Sequence, residues 1–490
     1  MAHVSIRTPD PNINSAFLRL DKFLQTFKLP LDDPKVWTAG VPGYGIDPRC
    51  AKINDTRDNR WLVWAARYCE PDDDYLDLAA PAIIDKAFTP EGVEVHEHAS
   101  PGADDFHHHW VWWLLQAALG YEYTGDTSLD PARIRKIIDK FYEMYDSEGI
   151  GMPHTGRSWF ITSIGEPLNS NRGRAYGFFS NCNLAYSFRM FAHLSRTRGD
   201  QENAEYFDDR LRTMEKHIRD FATFEGYHYA LKVVDTGEYR YRFCGDESLT
   251  LMTDNVFFPL AFGILAEDEM RASVEYLMPT LTKAFPVQYA VPNYRGEGGI
   301  GWWIPRSWQE CLAHYCLGLR KMENCGPVFN AIKRLSDRFE KDDEVWENYD
   351  PETGSHKDYF VPARKGYDTT SACLNIAIIE SLFGLRAETP GFASVSIRPS
   401  FPEDWTFAEI DVTVNRRRFH IRMEADRNKI VYDFTGSDPV PAHLVLPLPI
   451  SWEGRTIRTS VDAQIRTLRG ENRPCLEAQL PLAGSLVIEA

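Results

Sequence analysis

Phe178-Phe-Ser-Asn-Cys-Asn-Leu-Ala-Tyr-Ser-Phe-Arg-Met-Phe-Ala192, continuing through Thr197-Arg-Gly-Asp200 into a second periodic stretch at 202–222, is the part of the chain whose reading decides the fold. Apolar residues recur at intervals of three and four in both halves, the period of an amphipathic helix, and the glycine-containing link between them has the length of a tight turn. Two antiparallel helices over 180–199 and 202–222 are therefore expected. The same spacing recurs near 13–28, 57–69, 73–88, 105–121, 131–146, 254–265, 267–283, 306–321, 325–340 and 368–385, giving about twelve helices. Short links such as Ala266-Glu-Asp268 and Met322-Glu-Asn-Cys-Gly326 join neighbours into hairpins. Long links at 29–56, 89–104, 147–179, 223–253, 284–305 and 341–367 separate one hairpin from the next.

Six hairpins closed into a ring, an (α/α)6 toroid with a central cavity, account for this alternation. An open α-solenoid is the other arrangement, but no repeat of fixed period is present. Most of the Gly, Pro, His and Trp lie in the long links, and loops of that length in a compact domain are usually functional, so the active face is expected where they gather.

After Pro390 the texture changes. Ser394-Val-Ser-Ile-Arg-Pro399, Ala408–Val414, Phe419–Glu424, Lys429–Phe434, His443–Pro447 and Ser485–Glu489 alternate apolar and polar residues between turn signals. That pattern predicts a small C-terminal β-sandwich of about 100 residues. The expected division is residues 1–388 for the helical part and 389–490 for the sandwich. A chain of 490 residues exceeds the size at which a single core stops growing, which agrees with two parts.

The net charge of −17, from 71 acidic against 54 basic residues, repels phosphate backbones and anionic lipid and so argues against nucleic-acid and membrane-surface partners. No stretch approaches the roughly 20 apolar residues of a membrane span, and the N-terminus lacks a basic start followed by an apolar run, so a cytoplasmic protein is expected. Nine scattered cysteines, none in a Cys-x-x-Cys pair, are expected to be buried free thiols of a reducing compartment. Aromatic residues make up 13% of the chain; they fill cores, and in loops they also stack on the apolar faces of sugars.

Two glutamates stand in short aromatic, turn-rich stretches between helical segments: Glu166 in Ser158-Trp-Phe-Ile-Thr-Ser-Ile-Gly-Glu166-Pro, and Glu347 in Trp346-Glu347-Asn-Tyr-Asp-Pro-Glu-Thr-Gly354. Paired carboxyls facing one cavity are what glycoside hydrolysis needs: an acid to protonate the leaving oxygen, and a base to activate water or a nucleophile to attack the anomeric carbon. Glu166 could instead be a solvated loop carboxylate, and Glu352 is an alternative base. Asn54-Asp-Thr-Arg57-Asp58-Asn-Arg-Trp61 opens the second helix, where Asp55 or Asp58 either caps that helix or, for Asp58, accepts hydrogen bonds from hydroxyls. In His107-His-His-Trp110, consecutive helical residues point about 100° apart and cannot chelate one ion; His108 is the candidate to face the cavity as a hydrogen-bond donor, and no metal or cofactor is expected. Asp254, in Thr253-Asp254-Asn255, is expected to cap the helix starting at Val256.

Three stretches resemble the six-hairpin glycosidases, the superfamily of glucoamylases, processing α-glucosidases, mannosylglycerate hydrolases and α-L-rhamnosidases. Gly165-Glu166-Pro167 with Phe178–Ala192 is similar to the family's acid-bearing loop before an inner helix, which implies that Glu166 is the general acid. Tyr294-Arg-Gly-Glu-Gly-Gly-Ile-Gly301 with Trp302-Trp-Ile-Pro-Arg-Ser-Trp308 resembles a loop that covers substrate, which implies stacking on Trp302 or Trp303. Val345–Gly354 followed by Tyr367–Leu385 resembles the segment carrying the general base, a role this gives to Glu347, with Trp346 beside it in the substrate site. The segment around Arg57 and Asp58 is similar to the one that holds sugar hydroxyls, and Asp58 is the reserve general acid.

The resemblance implies an exo-acting glycoside hydrolase working with inversion on a small glycoside or oligosaccharide. Two other classes share the toroid: polysaccharide lyases or sugar epimerases that abstract a proton with His or Tyr, and a non-catalytic carbohydrate-binding protein.

Overall fold

The computed structural model describes residues 4–27, positions 61, 64–65, 67–68, 84 and 88–92, and residues 107–146, 148–154, 174–222, 227, 231–234, 239–240, 251–285, 287–288, 290–291, 307–343, 345–346, 348–356, 369–436 and 438–490. The helices among them are α1 (Pro11–Phe27), α2 (His107–Thr124), α3 (Pro131–Tyr145), α4 (Phe178–Thr197), α5 (Gln201–Ala222), α6 (Thr253–Ala261), α7 (Glu267–Leu281), α8 (Gln309–Lys321), α9 (Cys325–Asp342) and α10 (Thr369–Ala377). Positions 61, 64–65 and 67–68 are helical as well.

The helices alternate in kind. In α4 every residue from Phe178 to Phe188 is buried, and α6 and α10 are buried throughout. By contrast α3 buries one face through Ile134, Ile137, Ile138, Phe141 and Tyr145, and α9 does so through Val328, Ala331, Ile332, Leu335 and Phe339. A helix buried on all sides lies inside even where, as here, it carries a few small polar residues, and one with a single apolar stripe must back onto another. Accordingly α2 packs on α4, α4 on α6, α6 on α8 and α8 on α10, while α5 backs α4 and α9 backs α8.

The hairpin α4–α5 shows how the short links work. Gly199, at φ +74°, turns the chain in the left-handed region that glycine occupies without a Cβ penalty. The Arg198 amide donates to Leu194 O at 3.0 Å, and the Asp200 carboxylate accepts from the Asn203 amide at 3.2 Å, which starts α5.

The last helix departs from the expected 368–385. It is α-helical to Ala377, widens into a π-turn over Ile378–Leu382, and ends at Gly384, where φ is +73°. A Cβ on Gly384 would lie 2.1 Å from the Arg398 carbonyl oxygen, so close approach of another backbone fixes glycine there and stops the helix.

The C-terminal part is a β-sandwich. Its strands are β1 (Val4–Arg7), β2 (Leu385–Thr389), β3 (Ser394–Ile397), β4 (Phe407–Val414), β5 (Arg417–Ala425), β6 (Lys429–Gly436), β7 (Pro441–Pro447), β8 (Arg458–Thr459), β9 (Gln464–Thr467), β10 (Pro474–Pro481) and β11 (Gly484–Glu489). One sheet runs β1-β4-β5-β6-β11-β8 and the other β9-β10-β7-β3-β2. Alternate residues of β4, namely Ala408, Ile410, Val412 and Val414, are buried, the period of two expected for a sheet with one face on the core. The unexpected member is β1, which pairs antiparallel with β4 in the register Val4↔Val412 to Arg7↔Glu409.

Charged groups join the helical and β parts. Arg320 of α8 donates to Gly384 O at 2.6 Å and Ser396 Oγ at 2.7 Å. Glu323 takes two 2.7 Å hydrogen bonds from Arg466 and one of 3.0 Å from the Arg469 amide. Burial opposes its ionisation, but these donors hold the carboxyl down at about 2.

Of the cysteines, Cys182, Cys311, Cys316, Cys325, Cys373 and Cys475 are buried free thiols. Among the described residues, no helix is long and apolar enough to cross a membrane.

Candidate active site

The long links return to the N-terminal ends of the buried helices. Residues 175–177, just before α4, pair with 231–233. Leu251 and Met252, just before α6, pair with Val291 and Ala290, and Ser307 and Trp308, just before α8, pair with Tyr349 and Asn348. The first turns at that end carry buried polar atoms without a hydrogen-bond partner among the described residues: Asn181 Oδ1 and Asn183 Oδ1 of α4, Asp254 Oδ2 and Asn255 Oδ1 of α6, and Thr369 Oγ1 and Ser371 Oγ of α10. Buried polar atoms are usually paired; unpartnered ones also occur among the described residues toward the other end of α10 and in the π-turn after it, at Asn375 Oδ1 and Ser381 Oγ, so they do not by themselves mark a ligand site.

Two layers of side chains fill the space between the buried helices. In the first, the His314 ring of α8 is surrounded by Trp61, Phe179 of α4 and Phe258 of α6, with centroids 5.0, 5.8 and 5.2 Å away. His314 Nδ1 lies 2.8 Å from Asp254 Oδ1, and both side chains are 1% exposed. Asp254 is thus inside α6 and pairs across to α8; the N-cap position is Met252, and the helix begins earlier than the sequence suggested because Thr253 Oγ1 donates to Gln288 O at 2.5 Å and fixes the first turn.

The second layer centres on Glu380 in the π-turn. It accepts from Trp64 Nε1 at 2.7 Å and Tyr68 OH at 3.0 Å, and from Tyr123 OH, while Arg386 Nε lies 3.7 Å away. Burial pushes this carboxyl above the ordinary range, although Arg386 and the Tyr123 and Trp64 donors pull it down. Trp64 stacks on Trp61 at 5.3 Å and so links the layers.

The stretch around position 347 is pinned from several sides. The Trp346 carbonyl accepts from Thr370 Oγ1 in the first turn of α10 at 3.0 Å, and its amide donates to Tyr349 OH at 3.4 Å. Its indole, partly buried, stacks on the His356 imidazole with centroids 3.9 Å apart and planes 10° apart. The turn that follows is capped by Asp350, whose carboxylate accepts from the Glu352 and Thr353 amides, each at 2.8 Å; the Glu352 side chain is exposed.

Glu166, Glu347, Arg57, Asp58, Trp302 and Trp303 lie outside the described residues, and of His108 only its place in the first turn of α2 is described. Trp346 is described, and the residues flanking Glu347 are tied both to the N-terminal end of α10 and to Ser307–Trp308, four positions after Trp303. Among the described residues, no group of three or more His, Cys, Asp or Glu side chains could hold a metal ion. The sequence reading missed His314, Glu380 and His356 as polar centres. For the first two a signal existed: a lone ionisable residue inside an apolar run, in Cys311-Leu-Ala-His-Tyr-Cys-Leu317 and Ile378-Ile-Glu-Ser-Leu382.

No protein-family profile matches the chain, and no curated protein sequence does. Solved structures do. The whole chain is similar to half of an α-L-rhamnosidase from Dictyoglumus thermophilum, at TM-score 0.62 and 10% identity. It is similar over its whole length to 42% of an α-L-rhamnosidase from Streptomyces avermitilis complexed with L-rhamnose, at TM-score 0.58 and 12% identity. Three quarters of it match all of a mannosylglycerate hydrolase from Thermus thermophilus, at TM-score 0.53 and 13% identity. The chain spans about half the length of these rhamnosidases. It shares its fold with these structures, two of whose classes are among those named in the resemblance read from the sequence.

Proposed function

We propose that the protein is an exo-acting glycoside hydrolase that cleaves a small glycoside or oligosaccharide with inversion. Glu166 protonates the glycosidic oxygen, Glu347 takes the proton of the attacking water, and Asp58, Arg57, His108 and the tryptophans at 302, 303 and 346 hold the sugar. The observation that carries this reading is the frame around Glu347. The Thr370 bond holds Trp346 at the N-terminal end of α10, and the pairing of Ser307–Trp308 with Asn348–Tyr349 holds Asn348 beside the start of α8, so the two neighbours of Glu347 are fixed between these helices.

The same reading takes residues 1–388 as an (α/α)6 toroid and 389–490 as the sandwich, corrected for Val4–Arg7 and Leu385–Ala387, which belong to the sandwich sheets, in a cytoplasmic protein. Its support is the alternation of fully buried and one-faced helices, and Trp64, which touches both Tyr123 near the end of α2 and Glu380 just after α10, bringing first and last members of the inner row together. Inversion requires the two carboxyls to stand about 6.5–9.5 Å apart, with room for a water between them.

The test is a screen of nitrophenyl glycosides and disaccharides, with NMR of the first-formed anomer. Release of sugar with inverted configuration is expected. Retained configuration would overturn inversion, an ultraviolet-absorbing unsaturated product would replace hydrolysis by elimination, and sugar binding without turnover would leave a binding protein.

A further inference from the structure

The end of α9 and the turn after Glu347 meet at one imidazole. His356 Nδ1 lies 3.3 Å from Asp342 Oδ2 and 3.5 Å from Arg338 Nη2, and Arg338 Nε donates to the same carboxylate oxygen at 2.6 Å. The His356 and Asp342 side chains are 9% and 8% exposed. An imidazole packed against the buried Asp342–Arg338 pair in this way has little room to turn, and an indole lying flat on it loses rotameric freedom. That indole belongs to Trp346, whose carbonyl and amide are also bound, so the residue directly before Glu347 is fixed in backbone and ring together.

We infer that His356 is a positioning residue: held by Asp342 and Arg338, it is the platform that orders Trp346 and through it the backbone that presents Glu347. The inference rests on the reading of Glu347 as general base. It adds a role for a histidine nine residues downstream, acting through the ring of Trp346. The physical reason for such a platform is that a base must meet its water within a few tenths of an ångström, and a misplacement of about 1 Å costs on the order of 100-fold in rate. A Trp on a turn would not hold that tolerance by its own torsional preferences.

The experiment compares His356→Ala, which removes the plate, with His356→Phe, which restores a flat ring without the ionisable nitrogen. Amide hydrogen exchange of the peptide spanning 345–350 is read alongside kcat and KM on a glycoside that the unaltered protein cleaves. In the alanine variant, exchange is expected to speed up by about tenfold and kcat to fall by roughly 10–100-fold, with KM rising as well because Trp346 also holds the sugar; the phenylalanine variant, which keeps the ring but loses the contacts to Asp342 and Arg338, recovers part of both. Exchange and kcat unchanged in the alanine variant, or a phenylalanine variant no better than alanine, would overturn the inference. If the unaltered protein cleaves no glycoside, the hydrolase reading falls by itself, while the exchange comparison still decides whether His356 orders the segment.

Discussion

Asp254 and His314 sit on adjacent buried helices with Oδ1 and Nδ1 2.8 Å apart, and the second carboxylate oxygen of Asp254 has no hydrogen-bond partner among the described residues. The pair is enclosed by Trp61, Phe179 and Phe258 rather than by water. A carboxylate in such a place depends on its partner.

Removing that partner takes away the imidazole hydrogen bond of a buried carboxyl group. His314→Ala is therefore expected to lower stability by about 1–3 kcal/mol, whereas Asp254→Asn, which keeps shape and an acceptor for the imidazole, costs less. Chemical denaturation midpoints measure both. Equal losses would mean that the contact acts as ordinary packing.

The two proposed catalytic glutamates should separate by leaving group. Glu347→Gln is expected to lose about 10²–10⁴-fold in kcat on every substrate. Glu166→Gln should lose a similar factor on a disaccharide and much less on a nitrophenyl glycoside, whose leaving group needs no proton. Melting temperatures unchanged in both variants would separate these losses from unfolding, and a Glu166→Gln variant equally impaired on both substrates would remove Glu166 from the acid role.

Glu323 gives a pH signature. Its folded pKa, about 2, lies below the ordinary carboxylate value of 4.5, so its contribution to stability is present above about pH 4.5 and is lost as pH falls towards 2. Glu323→Gln should be less stable at neutral pH, and the stability difference from the unaltered protein should shrink across that acid window. A difference independent of pH between 2 and 7 would contradict the assignment.

Gly384→Ala tests the joint between the two parts. A methyl group there would meet the Arg398 backbone, and φ is +73°, so the substitution is expected to cost more than about 1 kcal/mol and lower the melting temperature. An unchanged melting temperature would show that residues 384 and 398 can separate freely.

Much of the helical layout was legible because a one-faced helix writes its period into the sequence, as Ile134, Ile137, Ile138 and Phe141 do in α3. The fully buried helices were legible only as apolar runs, and their boundaries slipped where tertiary contact decided them. Asp254 was expected to cap α6 but pairs with His314, and the helix expected to reach residue 385 ends in a π-turn because Gly384 must pass the Arg398 backbone. Strand β10 (Pro474-Cys-Leu-Glu-Ala-Gln-Leu-Pro481), bounded by prolines, also escaped the reading. In the candidate site, the Trp346 region stood out by its aromatic and turn residues, but its stacking partner His356 carries no local signal. The contact depends on a fold of the turn that Asp350 caps.

The pairing of Val4 with Val412 also bears on how the molecule is made. A ribosome adding roughly 5–20 residues per second exposes the first strand roughly 20–80 s before its neighbour exists. During that interval the nascent chain can assemble its helices but cannot close the larger sheet, whose outer strand is already synthesised and unpaired. The docking of that strand thus waits until the chain has been made past residue 414, and until it happens the β4 edge is open to pairing with another chain.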